Sequence, residues 1–233
     1  MNPRVLYRAA TYATDARAAA DSVISALTPA AWYRNATGVT ESGGFASQWD
    51  DYSGNARHLV QGVGTKQPAY ANGILTFDGV DNYMKASAFT LNQPVSIYIV
   101  YNQVSWTAVD HIFDGNTDDV AYFAQRSGGS APEVSVAAPT VLNGGNGPAV
   151  GSYGISCVVF NGASSSHRLN NNAKASGNAN VGNPAGFTLA SIASGTFRHS
   201  NIGVKEIVIF GAAHNDATQD SVITALNNAL TVF

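Results

Sequence analysis

Charge is the scarcest feature of this chain. Only 12% of its 233 residues are Asp, Glu, Lys or Arg, roughly half the usual share. The 12 basic residues are spread thinly. Arg4, Arg8 and Arg17 come nearest to a cluster, and they are too sparse to neutralise a phosphate backbone, so nucleic-acid binding is excluded. Cys157 is the single cysteine, which rules out an intramolecular disulfide. It sits in the apolar stretch Ile155–Phe160 and reads as a small buried hydrophobe rather than a reactive thiol. No apolar run approaches the ~18 residues of a membrane span. No apolar leader follows Met1, so the expectation is a chain without a signal peptide, made and folded in a reducing cytosol. Glutamate is rare as well: Glu41, Glu133 and Glu206 are the only three.

Hydrophobic residues make up 45%, enough to build a core and to exclude disorder as the main state. The polarity comes from Gly, Asn, Ser and Thr. Such neutral polar surfaces suit turn-rich β folds that meet neutral ligands or other protein subunits. The first 30 residues stand apart. They are rich in alanine and contain no glycine, and Ala16, Ala19, Ala20, Val23, Ile24 and Leu27 recur at helical spacing. Thr14 is the expected cap, and Thr28-Pro29 the expected stop. This segment is either a helix laid on the main domain or an arm that packs on another subunit.

From Trp32 the pattern changes to strands. Leu75–Phe77, Val95–Tyr101, Ala121–Ala124, Val134–Val136, Ile155–Phe160, Phe187–Ile192 and Val204–Phe210 are apolar runs broken by Asp-Gly, Asn-Gly and Pro. Residues 126–133 and 139–151 read as Gly/Ser/Pro-rich loops, and Asn170–Asn172 as a hairpin tip. A final helix starts at Asp216, with Gln219 as its capping-box partner. Val222, Ile223, Leu226, Ala229 and Leu230 form its apolar face.

Four groups of residues then combine. They are Trp32-Tyr33; Gln48-Trp49-Asp50-Asp51-Tyr52-Ser53-Gly54-Asn55 with His58 and Leu59; Phe77-Asp78-Gly79 with Asp81-Asn82-Tyr83; and Ile202–Phe210 before the terminal helix. Together they resemble the laminin-G-like, concanavalin A-like jelly-roll domain, in the version found in bacteriophage virion proteins and bacterial surface proteins. The resemblance spans about residues 30–233. It implies two antiparallel sheets packed face to face, often with a concave face that binds carbohydrate. Ser53-Gly54-Asn55 and Asp78-Gly79 themselves read as turns.

Glycosidases of that fold carry Glu-x-Asp-x-Glu on one strand, and no glutamate here has an acid two or four residues away. The Gln/His pair of its polysaccharide lyases is missing too. G-x-S-x-G and H-E-x-x-H do not occur, and the five histidines lack metal-ligand spacing. The oxygen-rich stretch Asp110, Asp114, Asn116, Asp118 and Asp119 is the one candidate metal site. Ca²⁺ is the ion such a loop would hold, and the alternative is a solvated acidic loop. Carbohydrate would need exposed aromatic rings beside polar partners. Trp106, Tyr122 and Tyr153 border loops. Glu206, placed by simple alternation on the side of Val204 and Val208, is either a half-exposed sheet residue or a ligand-facing carboxylate.

The expectation is therefore an all-β, two-sheet antiparallel jelly-roll sandwich over residues 31–233, with an N-terminal helical arm over 1–30 and a short C-terminal helix. The resemblance implies a non-enzymatic virion protein, a capsid decoration or tail-fibre component needing no cofactor. It would be a homo-oligomer, trimeric or dimeric, contacting other virion proteins or its own copies through the arm. The second reading is a carbohydrate-binding module for a host or environmental glycan. A carbohydrate-active enzyme is the third, and it lacks the expected acid pair.

Overall fold

The computed structural model describes residues 3–233, with side chains from Thr14 onward. The Arg4 and Arg8 side chains lie outside the described residues. Helix Pro3–Ala26 (α1) leads into Ala31–Tyr33 (β1), Val39–Ser42 (β2), Phe45–Trp49 (β3), Leu59–Val60 (β4), Ala69–Ala71 (β5), Ile74–Asp78 (β6) and Met84–Ala86 (β7). Val95–Gln103 (β8), His111–Asp114 (β9), Tyr122–Gln125 (β10), Glu133–Ala137 (β11), Val141–Asn146 (β12) and Tyr153–Phe160 (β13) follow. Ser165–Leu169 (β14), Ala175–Gly177 (β15), Thr188–Leu189 (β16) and Asn201–Phe210 (β17) complete the strands, and Asp216–Leu230 (α2) follows them. Among the described residues no helix is long and apolar enough to cross a membrane.

The chain is mostly β, and its named strands pair antiparallel in a nearly closed, barrel-like arrangement. One run of paired strands is β15–β14–β13–β8–β17–β6, with β1 beside the second half of β17. The other is β12–β11–β10–β9–β16–β7–β4–β3–β2. Strand β5 pairs with both β3 and β6 and so joins the two.

Alternation along the central strands explains where the apolar residues go. On β8, Ile97, Ile99 and Tyr101 face a core shared with Phe113, Phe123, Val136 and Leu189 of the other run. Tyr98 and Val100 face the opposite way, into a second cluster with Cys157, Val208 and Phe210. Ile24 of α1 and Val222, Ile223 and Leu226 of α2 cover that second cluster. The near-continuous apolar reading of β8, β13 and β17 follows, since these strands are buried on both faces.

Several details depart from the sequence expectations. Helix α1 begins at Pro3, not after Thr14. A proline in the first turn gives up an N–H that has no partner there in any case. The cap of α2 is Asn215, whose side chain accepts from the Thr218 N–H, and not Asp216. Strand β12 occupies part of the segment expected to be loop. The pairing of β17 with β8 shifts between Val204 and Glu206. This bulge inserts Lys205, so Val204 faces the inner core while Glu206 falls on the helix-covered side with Val208. Cys157 is buried as expected, and desolvation raises its thiol pKa to about 12.

Candidate functional site

Strands β9, β10 and β11 turn one face inward and the other outward. Phe113, Phe123, Val134 and Val136 belong to the core. His111, Tyr122, Ala124 and Ser135 line the outward side, where Arg198 and Gln125 help enclose a cleft of about 280 Å³. The His111 and Tyr122 rings form its aromatic wall, with centroids 4.5 Å apart and planes at 41°. Arg198 reaches the cleft from the β16–β17 connection. Its carbonyl accepts from the His111 N–H at 2.9 Å, and its guanidinium pairs with Asp119.

The frame under the cleft is held by polar contacts. Gln125 accepts through its carbonyl from the Val109 N–H at 2.9 Å and donates its own N–H to the Asp110 carbonyl at 2.8 Å. Its side chain donates to Gln103 Oε1 and the Ser105 carbonyl and accepts from the Thr107 N–H. Three non-glycine residues around the cleft have positive φ: Val109 at 73°, Asp119 at 60° and Arg198 at 58°. A β-branched residue is strained in this region, on the order of 1–3 kcal/mol, and such strain concentrates at functional sites.

Burial sets the protonation of the titratable groups. Desolvation, followed by the nearby Arg198 charge, lowers the His111 pKa to about 3, so the ring is neutral. Its Nε2 lies 3.4 Å from Asp119 Oδ1. With a neutral ring this is a polar contact rather than an ion pair. The buried Nδ1 has no hydrogen-bond partner, and a buried polar atom left unpaired costs about 1–3 kcal/mol. Half-buried Asp110 is raised to about 6 by desolvation, against the lowering effects of its Thr107 bond and of Arg198. Asp114 is fully buried. Desolvation raises it to about 7, although its carboxylate accepts the N–H groups of Gly115, Asp119 and Ala193.

The remaining expected site residues are dispersed. Trp106 is half-buried and donates its Nε1–H to the Glu133 carbonyl at 2.9 Å. Tyr153 lies at the start of β13 with the Lys205 ammonium 4.1 Å from its ring centroid. Glu206 corrects both expectations made for it, because it is fully buried. It accepts from Arg17 Nη1 at 2.7 Å, Trp32 Nε1 at 2.8 Å and the Asn35 N–H at 3.3 Å. Tyr122 alone of the four reaches the cleft.

The acidic loop is used internally as well. Asp118 accepts from the Ser194 N–H, Asn116 donates its backbone N–H to the Pro184 carbonyl, and Asp119 holds Arg198. Among the described residues no group of three or more His, Cys, Asp or Glu side chains could hold a metal ion. Asp110, Asp114, Asn116, Asp118 and Asp119 therefore do not converge as a Ca²⁺ cage. Local sequence does not single out His111, Gln125 or Arg198. His111 is one of five scattered histidines, and nothing local links residue 111 to residue 198.

No protein-family model matches the sequence, and no curated protein is similar to it at a significant level. Solved structures do share the fold. A Trypanosoma rangeli sialidase in complex with sialic acid aligns with TM-score 0.63 at 9% identity, over 95% of this chain and 39% of that one. A GH54 α-L-arabinofuranosidase soaked with a cyclic sulfate inhibitor aligns with TM-score 0.59 at 13% identity, over 79% of this chain and 51% of that one. The chain thus spans about two fifths of the sialidase and half of the arabinofuranosidase. At such identities the likeness establishes the fold, which is compatible with a concanavalin A-like jelly roll. The expectation of a non-enzymatic virion protein is corrected at this point, because the structures that share the fold are glycosidases and give it no support.

Proposed function

We propose that this chain is a carbohydrate-active domain, built as a two-sheet jelly-roll sandwich, that takes a neutral sugar residue in the cleft over β9 and β10. The observation that carries this reading is the composition of the cleft. It places an aromatic wall, amide and hydroxyl groups, and an arginine already neutralised by Asp119 around a space of about 280 Å³. A ring face suits the C–H face of a sugar, and the polar groups suit its hydroxyls. The absence of net charge at the Arg198–Asp119 pair favours a neutral ligand over an anionic one.

Asp110 supplies the proton chemistry. Its flanking residues Val109 and His111 line the cleft, and a carboxyl raised to about 6 is partly protonated near neutral pH. It donates a proton to the glycosidic oxygen as the C–O bond breaks, water adds to the anomeric carbon, and the proton that this water loses returns to the Asp110 carboxylate. The glycosidase neighbours of the fold support the reaction class.

The test is a glycan array together with sugar release from a panel of neutral polysaccharides and aryl glycosides. Wild-type protein is expected to bind and to release sugar. Tyr122→Ala is expected to lose about tenfold or more in binding, the worth of one stacking contact. A wild-type protein that neither binds nor releases sugar overturns the reading, as does undiminished binding by Tyr122→Ala.

A further inference from the structure

A second and larger concavity lies away from the β9–β10 cleft. It measures about 720 Å³ and runs from the end of α1 past β1 and the 52–57 turn to the segment after β17. Of the residues that line it, Arg57 is the only charged one. The guanidinium donates through Nη1 to the Ala30 carbonyl at 2.8 Å and lies 4.3 Å from the Phe89 ring centroid. Among the described residues Arg57 makes no ion pair, whereas Arg17, Arg34, Arg126, Arg168 and Arg198 each have a carboxylate partner. In a chain with net charge −3, an arginine left without a carboxylate in this groove is an open anion contact.

The rest of the groove has the chemistry of sugar recognition. Tyr52 is 50% exposed, and its ring is held edge-on by buried Trp32, with centroids 5.1 Å apart. The Arg34 guanidinium lies 5.0 Å from the Tyr52 ring centroid. Asn55 is fixed by donation to the Pro29 and Ala30 carbonyls. Asn92, Thr90 and Ser25 add exposed amide and hydroxyl groups. The wall is preorganised, because Asn55 and Arg57 are both anchored on Ala30, so little ordering cost remains for a ligand.

We infer that this groove binds a carboxylate-bearing saccharide, with the carboxylate at Arg57, the sugar face at Tyr52 and the hydroxyls at the amides. Arginine suits this task because its planar fork matches a carboxylate. The inference shares only its sugar chemistry with the proposed cleft and does not depend on activity there.

The experiment is calorimetric titration of the full chain with an oligogalacturonate and with a neutral galactose oligomer of equal length. The acidic oligomer is expected to bind, and any binding of the neutral one is expected to survive Arg57→Gln and to be lost in Tyr122→Ala. Arg57→Gln is expected to lose roughly tenfold for the acidic oligomer. Tyr52→Ala should weaken it comparably, and Tyr122→Ala should leave it unchanged. Tyr52 is exposed, so its variant remains informative if Arg57→Gln fails to fold. No binding of the acidic oligomer, or binding of it indifferent to both Arg57→Gln and Tyr52→Ala, overturns the inference. Loss of acidic binding in Tyr122→Ala also overturns it, since the ligand would then occupy the other cleft.

Discussion

Asp110 and Asp114 are one strand-length apart, yet they have different tasks. Asp114 has no exposed surface and spends its oxygens on three backbone N–H groups of the 115–119 turn and Ala193. It ties β9 to its neighbours. Asp110 is half-buried between Val109 and His111, which line the cleft, and its carboxyl is raised to about 6. A general acid must carry its proton, so glycoside release should be highest below about 6 and fall as pH rises through that value. Asp110→Asn should cut release by ~10²–10⁴ while leaving ligand binding within about twofold, read from a pH–rate profile beside a titration. A variant that retains wild-type turnover would remove Asp110 from the mechanism. At this scale the sequence was legible only in part. Tyr122 was visible as an aromatic beside a loop, and the acids were visible as oxygen donors. Their convergence was not visible, because β9, β10 and the Arg198 turn meet only through long-range pairing. Trp106 looked available, but a single carbonyl bond engages its indole N–H.

Helix α1 belongs to the fold at its C-terminal half. Ala20 and Ile24 are buried, and Arg17 reaches Glu206 on β17 at 2.7 Å and Asp21 on its own helix at 2.6 Å. Arg34 grips the same Asp21 at 2.8 Å. Burial pushes the Glu206 carboxyl above its ordinary value, and Arg17, Trp32 and Asn35 oppose that push. A buried carboxylate deprived of its cation costs about 3–5 kcal/mol. Arg17 itself is partly exposed, so Arg17→Ala should destabilise by about 3 kcal/mol in urea unfolding and speed amide exchange in residues 20–26. Adding Glu206→Gln should recover much of the loss, since the amide oxygen still accepts from Trp32. A cost no larger than that of an ordinary surface substitution would mean that the clamp holds nothing. The alanine stripe suits a helix laid on the main domain and an arm that packs on another subunit equally well. The Arg17–Glu206 pair ties its C-terminal half to β17, a contact between residues 189 apart that helical periodicity does not reveal. Long apolar strands such as β8, β13 and β17 were legible because both their faces are buried. Strands of two to five polar or mixed residues, such as β2, β4 and β5, carry too little periodicity to be seen.

For the molecule as a whole, poverty of charge separates the two concavities. The turn-rich β class followed directly from composition, while the order of strands around the near-closed sheet had to come from pairings distant in sequence. Composition also determines how ligands are attracted. A chain with 12% charged residues and net charge −3 generates little long-range field, so affinity depends on local groups. At the β9–β10 cleft Arg198 is already neutralised by Asp119. A neutral sugar there should bind within about twofold of the same affinity between roughly 0.02 and 0.5 M NaCl, because nothing in the contact is screened. At the Arg57 groove an acidic saccharide meets an arginine with no ion pair, and the same change in salt should weaken it several-fold. Titrating both ligands across that range separates contributions that sequence and fold cannot. If the two affinities fall in parallel, the ligands share one charged surface and the division into a neutral cleft and an anion-binding groove fails. If the acidic ligand alone weakens, the same protein carries two sugar-facing surfaces of different charge preference.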